Sequence, residues 1–201
     1  MAIKRGSPTS NDSEMQLPSA SNDSETTYST FNVHTDTSTA AYKADQEESA
    51  KRGGIALTDL KYERIIGTNV LKRVNIDASF RDEKVHPLLR EGVEYARGIS
   101  AMLGSNATSE KIVYNLDGKY AFFNTYYDID DYTKDSPETP KIKFYVDGQL
   151  IATGGKYVGS DQFIFFDVKG VKKLEISFEV SSPKYSTVVA LYKPRLYVSK
   201  Y

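Results

Sequence analysis

Apolar and polar side chains alternate with a period of two through much of the chain after residue 55. In 141-KIKFYVDG-148, Ile142, Phe144 and Val146 alternate with Lys141, Lys143 and Tyr145. In 173-KLEISFEV-180, Leu174, Ile176, Phe178 and Val180 alternate with Lys173, Glu175, Ser177 and Glu179. That period lays one strand face on a core and the other in water. Asp147-Gly148 follows KIKFYV and Asp117-Gly118 follows KIVYNL. Asp-Gly tolerates the positive φ angles of a two-residue turn, so each pair predicts a hairpin. Further strands are expected at 63-ERIIG-67, 70-VLKRVNI-76, 162-QFIFFDV-168, 187-TVVALY-192 and 195-RLYVS-199. Only 84–98 could hold a turn or two of helix, limited by Pro87 and Gly92. Many short strands at close spacing predict an all-β, antiparallel, jelly-roll-like sandwich. About 145 residues can bury about 68% of the unfolded chain's surface, enough for an independent core.

Ahead of this pattern the composition changes near Gly53-Gly54. Residues 1–54 hold 16 Ser and Thr, and five basic against eight acidic side chains leave them at −3. Such a segment buries too little apolar surface to offset its ordering entropy, about 1–2 kcal/mol per residue of backbone. SNDSE occurs twice in it, at 10–14 and 21–25. The expected organisation is an acidic, extended or disordered arm over 1–54 and one sandwich over 55–201.

Composition removes several chemistries. The net charge is −1, from 26 basic and 27 acidic side chains, so no single-sign field calls for nucleic acid or a membrane surface. With no cysteine, disulfides, thiol catalysis and Cys-ligated zinc are excluded. His34 and His86 are the only histidines, too few for a His-rich metal centre. The N-terminus lacks the apolar stretch of a secretory signal. Asn11, Asn22 and Asn106 stand in sequons, which carry no meaning without export.

Taken together and in order, several motifs resemble a known family. They are 57-LTDL-60, 94-EYARGISAMLGSNATSEKIVYNLDGKYAFFNTYYDIDD-131, 142-IKFYVDGQLIATGG-155 and 163-FIFFDVKGVKKLEISFEV-180. The string resembles the NPCBM/NEW2 carbohydrate-binding modules found appended to glycoside hydrolases, over about residues 55–198. The resemblance implies a jelly-roll-like sandwich and glycan recognition. Two departures stand out. Where the family carries His-Ala after its Gly-Ile element, this chain has Ser100-Ala101. Where the family carries an Asp-Trp-Ala-Asp-Ala-like segment, it has 188-VVALYKPRLYV-198 and no tryptophan.

No catalytic residue is expected, because nothing singles out a carboxylate pair set to work as acid and base. Asp128, Asp130 and Asp131 read as a solvated turn whose hard oxygens could hold a structural calcium ion; no other cofactor is expected. In 120-YAFFNTYY-127 both faces carry rings, which predicts a central strand covered on both sides. Stacking a ring on a sugar needs an exposed aromatic at a strand end or loop. Tyr127, Tyr132, Tyr157, Tyr185 and Tyr192 are the candidates. Lys141, Lys143, Lys156, Lys169, Lys172 and Lys173 read as solvated strand faces.

A sugar-module-like sandwich without a leader or an attached hydrolase predicts a non-catalytic phage virion component released by lysis. Residues 1–54 would tether it, in multiple copies, to a protein partner in the particle, with host-surface glycan as a second contact. The alternative is an extracellular carbohydrate-binding module of a glycoside hydrolase system.

Overall fold

The computed structural model describes residues 53–67, 73–81, 84–155 and 162–198, with isolated positions at 40, 43, 47 and 51. Those four, Ala40, Lys43, Glu47 and Lys51, have helical backbone and exposed side chains. Gly53 and Gly54, at the end of the expected arm, are described with the body, and the rest of the arm lies outside the described residues.

Among the described residues, fifteen strands make up the body. The first seven are short: β1 (Gly54–Ala56), β2 (Tyr62–Gly67), β3 (Val74–Ile76), β4 (Ser79–Arg81), β5 (Lys84–His86), β6 (Leu88–Arg90) and β7 (Val93–Tyr95). Then come β8 (Gly98–Leu103), β9 (Ser109–Asn115), β10 (Phe122–Ile129), β11 (Lys141–Val146) and β12 (Gln149–Gly155). The chain finishes with β13 (Phe163–Asp167), β14 (Lys173–Glu179) and β15 (Thr187–Tyr197). One sheet runs β13-β10-β15-β8-β3, with β1 also on β15, and the other runs β12-β11-β14-β9-β2. Every pairing is antiparallel.

The inward faces follow the alternation. Ile142, Phe144, Leu174, Ile176 and Phe178 are fully buried, and they meet Ile99, Phe123, Leu191 and Leu196 from the facing sheet. Phe123, Phe144 and Phe166 form a ring triangle with centroids 5.0–5.7 Å apart. On the outer face of the second sheet, Lys143 pairs with Glu179, Lys111 with Glu175 and Lys173 with Glu63. Of the lysines expected on solvated strand faces, Lys141, Lys143 and Lys173 lie on strands of this sheet, Lys169 and Lys172 lie in the turn before β14, and Lys156 lies outside the described residues.

Asp147 (φ 47°) and Gly148 (φ 86°) close the β11–β12 hairpin as anticipated. Three local expectations are corrected. Asp117 (φ 51°) and Gly118 (φ 69°) do make a tight turn, but β9 and β10 belong to different sheets, so the turn carries the chain between layers. Residues 84–98 form no helix: Glu91 (φ 52°) and Gly92 (φ 75°) turn β6 into β7. Finally, 187–192 and 195–197 are not two strands but the single strand β15, and Ser199 lies outside the described residues. At Lys193 (φ 50°) and Pro194 the register against β10 slips, between Asn124 and Tyr126. Pro lacks the N–H that the ladder would use, so it survives here only at a bulge.

Outside the first sheet lies a small second layer. Leu88 and Tyr95 of the β6–β7 hairpin pack on Ala190 and Tyr192, and the Tyr95 and Tyr192 rings sit 4.9 Å apart. The hairpin covers the β15 side of that face. Among the described residues, Tyr126, Phe163 and Phe165 on the β10–β13 side stay exposed.

Candidate functional site

The β10–β13 side is aromatic. β13 is an edge strand, and Phe163 and Phe165 point away from the core at 47% and 46% exposure, while Ile164 and Phe166 point inward. Phe163 stands opposite Tyr126 with ring centroids 5.0 Å apart. Phe165 leans diagonally onto Phe122 at 5.2 Å, the two planes within 3° of parallel. Asn124 lies between the two pairs, its amide 3.4 Å from the Tyr197 hydroxyl. Tyr126, Phe163 and Phe165 are thus exposed on one face of β10 and β13, with Phe122 buried against Phe165.

A cation borders them. The Arg90 guanidinium lies 5.8 Å from the Tyr126 ring centre, within cation–π range. Asp128 (3.4 Å) and Glu91 (3.8 Å) flank the same guanidinium. Burial works to lower the Arg90 pKa, but Tyr95, Glu91 and Asp128 outweigh it and the net shift is upward. Arg90 is therefore a permanent donor at the edge of the rings.

The aspartate turn sets where Arg90 stands. Asp131 accepts from the Glu91 N–H at 3.0 Å and the Gly92 N–H at 2.7 Å, gripping the tip of the β6–β7 hairpin. Asp130 accepts from the Leu89 N–H and the Tyr132 N–H, each at 3.1 Å. Asp128 accepts from the Ile129 N–H at 2.7 Å, besides Arg90. The expectation of a solvated turn fails at Asp130, which is fully buried. Burial raises its pKa against the opposing pull of the Leu89 and Tyr132 amides. As for calcium, each carboxylate already accepts from N–H donors, and among the described residues no three His, Asp or Glu side chains gather into a metal site.

The five candidate tyrosines scatter. Tyr127, at 9% exposure, belongs to the core, where its ring fills the space over Gly154; a Cβ there would lie 2.7 Å from the ring. Tyr192 is sealed at 0% beneath the hairpin and donates its hydroxyl to the Leu89 carbonyl at 3.1 Å. Both expectations of exposure are corrected. Tyr132 is half-buried and packs on His86 at 4.7 Å, and Tyr185 is 60% exposed. Tyr157 lies outside the described residues. Phe163 and Phe165, the rings that do face solvent, were not singled out. Rings on both faces of 162-QFIFFDV-168 could have flagged them, but the same pattern describes a strand buried on both sides.

The two sequence departures are both inside the structure. Ser100 is fully buried and donates its hydroxyl to the Ala78 carbonyl at 2.7 Å. The segment standing for the tryptophan-bearing stretch is β15, buried along nearly its whole length. Apart from Val198, at 65% exposure, the surface at those positions is largely closed.

Solved structures with the same fold include carbohydrate-binding modules. A Clostridium perfringens ZmpB structure, titled as CBM51-2 in complex with GlcNAc plus INT domains, is 22% identical with a TM-score of 0.57, covering 74% of this chain and 32% of that one. Tandem modules of the same class from the family 98 glycoside hydrolase of Streptococcus pneumoniae are 20% identical at a TM-score of 0.57, with 73% and 47% covered. A third, from a Clostridium perfringens family 95 glycoside hydrolase in complex with methyl-galactose, is 19% identical at 0.54, with 71% and 99% covered. The chain spans about a third of that CBM51-2 and INT polypeptide. No curated protein sequence matches it. The NPCBM/NEW2 domain model matches residues 53–192, and the chain belongs to that family.

Proposed function

We propose that this domain is a non-catalytic glycan-recognition module whose contact surface is the outer face of β10 and β13. The observation that carries the reading is the exposed ring set Phe163, Phe165 and Tyr126, on the β10–β13 side of a carbohydrate-binding-module fold. A pyranose presents a face of C–H groups that packs on an aromatic ring, while its rim hydroxyls seek donors and acceptors. Arg90 stands at the rim of these rings as such a donor. Strand-borne rings need no ordering on contact, which lowers the entropic cost of a weak, reversible grip.

Catalysis has no support in the described carboxylates. Asp130 has the raised pKa an acid catalyst needs, yet it is fully buried and committed to two backbone amides. The similar ZmpB modules occur in a polypeptide that also carries an M60 catalytic domain. By analogy, this module would hold a separate activity near its glycan. The virion reading rests on residues 1–54, nearly all outside the described residues, and the solved relatives named above come from hydrolases and from ZmpB. The glycan module is therefore the reading carried forward.

A glycan array followed by calorimetry on the hits tests the proposal. Saturable binding in the micromolar to millimolar range is expected, and Phe163→Ala should weaken it at least tenfold with unchanged thermal stability. A folded protein that binds nothing on the array, or binds equally well after Phe163→Ala, would sink it.

A further inference from the structure

We infer that Asp128 is the specificity-determining contact of this face, reading one free hydroxyl of a hexopyranose stacked on Tyr126; the inference rests on the glycan reading above. Side chains alternate along β10, so Asp128 points to the same outer face as Tyr126, two residues on, where it meets Arg90 of the hairpin. Tyr127 and Ile129, which point the other way, are buried. At about 3.4 Å per residue, Tyr126 and Asp128 stand about 7 Å apart along the strand. Tyr126 offers an exposed ring there, and the Asp128 side chain keeps 25% of its surface in solvent.

The carboxylate is oriented and still has capacity. Its Oδ1 accepts from the Ile129 N–H at 2.7 Å, and its Oδ2 accepts from the Arg90 Nε at 3.4 Å. A carboxylate has room for about four hydrogen bonds, so these two fix its direction and leave lone pairs for a ligand. Arg90 is the more enclosed of the pair: its side chain is 8% exposed, with Glu91 3.8 Å from Nη2. It links the two halves of the site, lying 5.8 Å from the centre of the Tyr126 ring while its Nε holds Asp128.

That chemistry limits what the position accepts. At neutral pH a carboxylate only accepts hydrogen bonds, so its ligand partner must be a donor, such as a hydroxyl on the edge of a hexopyranose. A charge-assisted bond of this kind is about twice as strong as a neutral one. A site built around such an acceptor rejects an analogue lacking the hydroxyl, because the acceptor is then left unpaired. Ring stacking carries no such preference, since every pyranose has a C–H face. Tyr126 thus supplies the grip and Asp128 the choice.

NMR titration of the full chain with the methyl glycosides of glucose, galactose and mannose, and with their 2-, 3-, 4- and 6-deoxy analogues, tests this. At least one glycoside should bind, and one deoxy position should weaken it at least tenfold against wild type. Asp128→Ala should bind the parent glycoside at least tenfold more weakly, and the same deoxy change should then cost less than twofold. A merely structural role for Asp128 would weaken parent and analogues alike and keep the deoxy penalty. Asp128→Asn, which retains an acceptor for the Ile129 amide, takes the place of Asp128→Ala if a thermal melt shows that variant unfolded. A deoxy penalty of equal size in wild type and variant, or none in wild type, overturns the inference while the glycan reading stands. Binding of none of the three glycosides also overturns it, and the array above then decides the glycan reading separately.

Discussion

Arg97 donates from Nη1 to Asp77 Oδ2 across 2.9 Å, with both side chains almost wholly buried. The same guanidinium reaches Asp59 at 2.6 Å and the Thr58 hydroxyl at 3.3 Å. Two distant motifs, 57-LTDL-60 and 95-YARGI-99, are thereby one device: Leu57 enters the core while Thr58 and Asp59 clasp the arginine. Asp77 (φ 55°) also accepts the Gly98 N–H at 3.0 Å, fixing the start of β8. Removing the arginine would strand a buried carboxylate. Arg97→Ala should therefore destabilise the fold by about 3–5 kcal/mol. Arg97→Lys should recover only part, since an ammonium lacks the planar fork. Urea denaturation of the three proteins decides this.

Tyr114 is a contrasting case. Its ring is fully buried, and its hydroxyl finds no hydrogen-bond partner among the described residues. Burial, with Asp77 and Tyr62 nearby, pushes the phenol far above its ordinary pKa. A buried polar group without a partner costs stability, so deleting it should not hurt. Tyr114→Phe is expected to melt at or above the wild-type temperature, by up to about 1 kcal/mol of added stability. A loss beyond that would reveal a hidden partner for the hydroxyl.

The Asp131 grip on the hairpin tip has its own signature. Asp131→Ala removes both acceptors of the Glu91 and Gly92 amides, and these should exchange with solvent deuterium at least tenfold faster. Leu89, held by Asp130, should be slower to respond. If the hairpin positions Arg90 beside Tyr126, glycan affinity should fall in the same variant although no residue of the ring face has changed. Exchange that stays protected at Gly92 would show that the hairpin holds itself.

Acid should release the Lys143–Glu179 contact on the outer face of the second sheet. Desolvation works to raise the Glu179 carboxyl, but hydrogen bonds from Lys143 and Ser177 outweigh it, and the net shift is downward from 4.5. A carboxylate whose folded pKa lies below its unfolded one stabilises above the unfolded value and loses that contribution as pH falls through the folded one. Lys143 shifts the other way, upward from 10.5 through its bond to Glu179, so its share fades only as pH rises past the lysine range. Wild type should exceed Glu179→Gln in stability near neutral pH by less than about 1 kcal/mol, as befits a partly exposed pair. Below about pH 4 the two denaturation midpoints should converge. A constant gap from pH 7 to pH 3 would mean that the glutamate acts through packing.

The chain's local pattern decided the class of the fold. Alternation in 141–146 and 173–180 is a property of neighbouring residues, and it is enough to say that these segments are strands with one buried face. The Asp-Gly turns were legible for the same reason: positive φ is a local demand. Only the tertiary structure decided which strands pair. An identical turn closes a hairpin at Asp147-Gly148 and changes sheets at Asp117-Gly118, because pairing depends on partners dozens of residues away. It also decided which rings see water. Tyr127 and Tyr192 have the same side chain as any exposed tyrosine, but Gly154 admits one into the core and the β6–β7 hairpin closes over the other. Phe163 and Phe165 are left in solvent because β13 is an edge strand and the hairpin stops short of it. Burial is a sum over contacts from the whole chain, and so the periodicity of one segment names its two faces without saying which of them will be covered.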